Sequence, residues 1–202
     1  MWKVMISFAL LLLPVMGKTQ DALFGPDGYR IAHYRAPVFR APAGVGRVAP
    51  EVVATLRPDV DALLIDVLPA EGGQRNSDGT WRLAVARPSI PGAHWFPEAG
   101  RGVLSPDIGP WFERGIARLT HGAKGPMIVT FCLADCWMSW NAARRLRALG
   151  YTNVWWFAQG TDGWRDLGLA LVDATPERAR TKDQLSAVPL PPKPGDTPVE
   201  GR

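Results

Sequence analysis

Val129-Thr130-Phe131-Cys132-Leu133-Ala134-Asp135-Cys136-Trp137-Met138-Ser139-Trp140-Asn141-Ala142-Ala143 holds both cysteines of a 202-residue chain. A run of strand formers, residues 127–131, ends at Cys132. After Cys136 the pattern turns helical, with Leu146 and Leu149 continuing the apolar face and Gly150 at its stop. A thiol at a strand-to-helix junction faces backbone N–H groups that lack an intrahelical partner, and these favour a thiolate. Cys132 and Cys136 are therefore candidate catalytic residues. The same spacing also allows a structural disulfide across the loop, or two buried thiols.

On either side, elements alternate. Residues 62–68 form a continuous apolar run of strand length, as expected for a parallel strand buried on both faces, with Asp66 near its end. Residues 93–96 read as a short strand and 153–157 as another buried one. Residues 107–119 carry a helical stripe of Ile108, Trp111, Phe112, Ile116 and Leu119. Short helices are expected at 51–56 and 163–167, and a long loop at 69–88 with turn signals at Gly72-Gly73 and Asp78-Gly79. Strands alternating with helices predict an α/β fold, a parallel sheet flanked by helices with right-handed crossovers. Ligands bind such sheets at the carboxyl ends of the strands, where Cys132 stands.

The flanks differ in composition. Residues 1–17 carry one Lys, an apolar run and then small residues, the pattern of a cleaved signal peptide. Export places the cysteines in an oxidising compartment, and an uncleaved signal would be the chain's tie to a membrane. Residues 18–47 are rich in Arg, Pro, Gly and Tyr without periodicity, and predict an extended N-terminal arm over the domain. From residue 173 to 202 the chain is polar and Pro-rich, a tail expected to be disordered. At 47% hydrophobic and 21% charged, the rest suffices for one globular core. The net charge is +4 with no Lys/Arg-rich block, so nucleic acid is not an expected partner.

The order strand, Cys132 loop, helix, strand and Gly160-Thr161-Asp162-Gly163-Trp164 resembles the carboxyl half of a rhodanese-like domain. Asp66 in Leu64-Ile65-Asp66-Val67 looks like that family's acidic residue after an early strand. Ser89-Ile90-Pro91-Gly92-Ala93 resembles its His-Ile-Pro-Gly-Ala signature, with Ser89 in place of histidine. The resemblance covers residues 48–172. The words around the cysteines and Gly160-Thr161-Asp162-Gly163-Trp164 are most similar to the exported rhodanese-like proteins called PQQ-dependent catabolism-associated CXXCW motif proteins, although three residues rather than two separate the cysteines here.

This resemblance implies a periplasmic protein that accompanies PQQ-dependent alcohol oxidation, with a quinoprotein dehydrogenase or a c-type cytochrome as partner and no cofactor of its own. Cys132 matches the rhodanese nucleophile and would carry a persulfide or attack a disulfide, with Cys136 resolving the adduct. Leu133, Ala134, Asp135, Trp137, Met138 and Ser139 would form the loop and pocket, and Asp66 would support it by hydrogen bonding to loop amides or an Arg. The loop has no cation of its own, so thiosulfate activity does not carry over with the cysteine. The alternative is a non-catalytic binding module for the same partners, with Cys132–Cys136 as a staple. Trp137, Trp140, Trp155, Trp156 and Trp164 would then wall a pocket for a flat ligand, or simply pack the core. Two thiolates with Met138 are soft enough for Cu(I), but His33, His94 and His121 lie far away in sequence, and no metal is expected.

Overall fold

A computed structural model describes residues 22–178. The expected signal peptide and most of the expected Pro-rich tail lie outside them. The core is a five-stranded parallel sheet of β1 (Gly46–Arg47), β2 (Leu63–Asp66), β6 (His94–Trp95), β7 (Ile128–Phe131) and β8 (Val154–Trp156), in the order β1-β8-β7-β2-β6. Every residue of β2 and β7 is buried, as their unbroken apolar runs require in a sheet covered on both faces. The register sets Asp66 beside Phe131, so the carboxyl ends of β2 and β7 finish side by side.

Helices α2 (Ile108–Leu119) and α3 (Trp137–Ala148) pack one face, around Phe96, Trp111, Phe112, Leu146 and Trp156. The other face carries α1 (Pro50–Val53) and α4 (Gly160–Asp166), around Val53, Leu64, Phe131 and Phe157. This is the expected α/β architecture, a parallel sheet flanked by helices. No described helix is long and apolar enough to cross a membrane.

Three local expectations change. The loop expected at 69–88 contains a hairpin of β3 (Gln74–Arg75) and β4 (Trp81–Arg82), turned at Asp78-Gly79, and β5 (Arg87–Ser89) begins at its end. Pairs of two residues are too short to show alternation. The closing helix starts at Gly160, not Gly163, because its first turn is held by the cysteine loop. β9 (Val172–Ala174) pairs with β5, and Glu177 N–H donates to the Trp95 carbonyl at 2.8 Å, so residues 173–177 extend the structure rather than begin a tail.

The arm, expected to be extended, turns back on itself at residues 23–31, where Phe24 bridges Arg30 antiparallel, and then runs on to join the sheet edge as β1. Pins hold it on both sides of the cysteine loop. Asn141 exchanges hydrogen bonds with the Arg30 backbone at 3.0 and 2.9 Å, and Trp140 Nε1–H donates to the Arg40 carbonyl at 2.9 Å. Between these pins the chain passes over the cysteine loop.

Candidate active site at the cysteine loop

The loop is a tight turn. Asp135 takes a left-handed φ of +50°, which a non-glycine residue adopts only under constraint, and this makes extended Cys136 the N-cap of α3. Both cysteines are free thiols. Cys132 is fully buried and Cys136 is 3% exposed. Cys132 Sγ lies 3.5 Å from the Cys136 carbonyl oxygen and 3.2 Å from Ser139 Oγ. The Ser139 hydroxyl donates to the Cys136 carbonyl at 3.3 Å and accepts Trp156 Nε1–H at 3.0 Å.

Each thiol shifts the titration of the other. The Cys132 thiol beside it, opposed by burial and helped by the Met138 and Leu133 backbone and by the charge of Arg35, lowers the Cys136 thiol to about 7. Burial, then the neighbouring Cys136, pushes Cys132 well above the ordinary range.

The loop amides are engaged. Ala134 N–H donates to Asp162 Oδ2 at 3.0 Å. Trp137 N–H, at the first turn of α3, donates to the Tyr34 carbonyl at 2.8 Å, and Ala36 N–H donates to the Asp135 carbonyl at 2.9 Å. These two bonds frame an antiparallel bridge between Arg35 and Cys136. The loop lacks a cation, but the arm brings one. Arg35 is exposed and makes no salt bridge among the described residues.

From the far side, α4 holds the loop. Thr161 N–H donates to the Cys132 carbonyl at 3.0 Å and Leu133 bridges Gly160. At Gly160, φ is +53° and an added Cβ would stand 2.3 Å from the Cys132 carbonyl oxygen, so only glycine fits. Asp162 sits in the first turn of α4 and holds Ala134.

The remaining candidates separate by place. Met138 and Ser139 are buried, Leu133, Ala134 and Trp137 are half-buried, and Asp135 is exposed. Asp66 is fully buried and accepts hydrogen bonds from Arg87 Nη2 at 2.8 Å, Ser89 Oγ at 2.6 Å and Leu68 N–H at 2.9 Å. Ser89 thus stands against the carboxylate, not the sulfur. A cleft of about 620 Å³ opens beside the loop, lined by arm residues Tyr34 and Arg35, by residues 69–73, and by Glu98, Arg101 and Met138. None of the five tryptophans expected to wall a pocket lines it. Trp156 is buried, Trp155 and Trp164 pack the opposite face, and Trp137 stacks edge-on between Phe24 and Trp140 beneath the Arg30 guanidinium.

Sequence reasoning missed Arg35 and Asn141. Arg35 reaches Cys136 by backbone pairing, which leaves no mark on side-chain patterning. Asn141 is a buried polar residue within a helical run, and that burial cannot be read locally.

No protein-family model matches the chain, and no curated protein matches it. Solved structures similar to it include the thiosulfate sulfurtransferase from Pseudomonas aeruginosa, at 22% identity and TM-score 0.43. That match covers 76% of this chain and 24% of the other. The polysulfide-sulfur transferase homodimer from Wolinella succinogenes is 16% identical with TM-score 0.43, covering 65% of this chain and 81% of that one. The 3-mercaptopyruvate sulfotransferase from Escherichia coli is 18% identical with TM-score 0.47, covering 69% of this chain and 57% of that one. The chain thus spans about a quarter of the first of these proteins.

Proposed function

We propose that this is a periplasmic, thiol-dependent sulfur-handling protein, a sulfur carrier or thiol–disulfide exchanger that works through Cys132 and Cys136. The observation that carries this reading is the pair of free, buried cysteines in one tight loop ahead of α3, the Cys136 thiol lowered to about 7 by its neighbours. Such an arrangement stabilises a thiolate and places a second sulfur to attack any adduct. The apolar run at residues 4–13 supports export. The resemblance around the cysteines supports a place beside PQQ-dependent alcohol oxidation, with a quinoprotein dehydrogenase or c-type cytochrome as partner.

The reduced protein is to be exposed in turn to thiosulfate, polysulfide and glutathione disulfide, followed by intact mass and free-thiol counts. A mass adduct or loss of both thiols is expected with at least one donor, and none in a Cys132→Ser/Cys136→Ser chain. A parent that keeps both thiols and its mass against all three donors ends the reading.

Burial of both sulfurs favours one rival, a binding module for the same partners. On that reading the double serine variant retains partner binding in full and the parent forms no adduct.

A further inference from the structure

We propose that Cys136, rather than the Cys132 that matches the rhodanese position, is the sulfur that attacks substrate, and that Cys132 is the internal partner that resolves the adduct. This rests on the thiol-dependent reading above and assigns its two roles.

The argument is one of access and support. Two neighbours of Cys136 reach the open cleft: Met138, two residues along the chain, and Arg35, which pairs across from it, both line the 620 Å³ space. The groups around Cys132 do not. Ser139, Trp156 and Thr161 are each at most 1% exposed, and its carbonyl is closed off by α4. Cys136 is also the N-cap residue of α3 and 3% exposed, while Cys132 is fully enclosed and its thiol points at the Ser139 hydroxyl and the Leu133 and Cys136 carbonyls. Cys136 thus stands on the cleft side of the pair, and Cys132 lies behind it.

The chemistry balances with a disulfide R–S–S–R′ as oxidant. The Cys136 thiolate attacks one sulfur, forming Cys136–S–S–R and expelling R′–S⁻, which takes a proton from solvent. The Cys132 thiol then loses its proton as its sulfur attacks Cys136, forming the Cys132–Cys136 disulfide, and the departing R–S⁻ leaves as R–SH. Two electrons have passed from the protein dithiol to the substrate. A dithiol reductant returns the pair to its starting state.

The test needs no variant at first. Reduced parent protein is treated with a substoichiometric amount of iodoacetamide between pH 5 and 9, and the alkylated cysteine is located by peptide mapping. Label is expected at Cys136, with a rate that rises through about pH 7, and labelling of Cys132 about 100-fold slower. Glutathione disulfide is then added to single variants. Cys132→Ser should hold a stable glutathione adduct at Cys136, and Cys136→Ser should form none while retaining the parent's circular dichroism. First label at Cys132, or an adduct retained in Cys136→Ser, overturns the assignment but leaves thiol chemistry intact. A folded parent whose two thiols resist both reagents overturns the assignment together with the reading beneath it.

Discussion

Two buried, ionisable clusters finish on neighbouring strands of one sheet, and they are held in opposite ways. Asp66, at the end of β2, is surrounded by groups that satisfy it: a guanidinium, a hydroxyl and an amide. Burial pushes its carboxyl up, and Arg87, Ser89 and Leu68 pull it back. At the end of β7 the Cys132 thiol meets a hydroxyl and the Leu133 and Cys136 carbonyls, with Arg35 near Cys136 but in no salt bridge among the described residues. A charge neutralised in a fork of partners is inert and structural. A sulfur facing only dipoles keeps a lone pair for chemistry. Partner type, rather than burial, distinguishes framework from reagent.

The comparison breaks hardest at Asp66. Asp66→Ala leaves Arg87 buried without its carboxylate and is expected to cost about 3–5 kcal/mol by urea unfolding, while the alkylation rate of the refolded loop stays near the parent's. Equal loss of thiol reactivity would join the two clusters into one site. Gly160→Ala, which drives a methyl against the Cys132 carbonyl at a left-handed position, is expected to cost about 1–3 kcal/mol and to disturb labelling of the loop as well.

The arm acts on reactivity as well as on stability. Asn141→Ala removes one pin and leaves Arg30 and Gly100 backbone groups without their partner, a loss of about 1–3 kcal/mol that should raise the alkylation rate about tenfold as the arm lifts. An unchanged rate would mean that reagents reach the sulfur without arm movement.

The smallest effects are in pH. The Cys136 thiol is lowered from 9.0 to about 7, so between those values the unfolded chain holds more protons at this group. Its contribution to stability is present above pH 9 and lost as pH falls through 7, and Cys136→Ser should remove that slope from chemical unfolding curves. His94 slopes the other way. Burial opposes its imidazolium, but hydrogen bonds to Glu177 at 2.6 Å and Asp59 at 2.7 Å win and raise its pKa. That contribution is full below pH 6.5 and fades as pH rises through the folded value; Glu177→Gln should flatten it.

Much of the fold was legible because the strands at 63–66, 128–131 and 154–156 are buried on both faces and show as plain apolar runs, and α2 shows its stripe. The hairpin within 69–88 was not, since its strands are two residues long. α4 opens on a glycine-rich word that reads as a turn until the Cys132 carbonyl is there to hold Thr161 N–H. At the site, the cysteines and Ser139 stood out from their place after a strand. The Arg35 bridge did not, because main-chain pairing carries no residue code, and for the same reason the turn at residues 23–31 of the arm did not. Residues 173–177 misled because their composition is that of a tail, while their pairing is decided by the open edges of β5 and β6.

Ser139 has one more consequence. Its hydroxyl is the single link between the Trp156 indole and the Cys132 sulfur, 3.0 Å on one side and 3.2 Å on the other. Any change of oxidation state at that sulfur alters what the hydroxyl can accept, and so the polarity felt by a sequestered fluorophore. The surroundings of one enclosed indole are therefore tied to the state of the sulfur on the other side of a single hydroxyl.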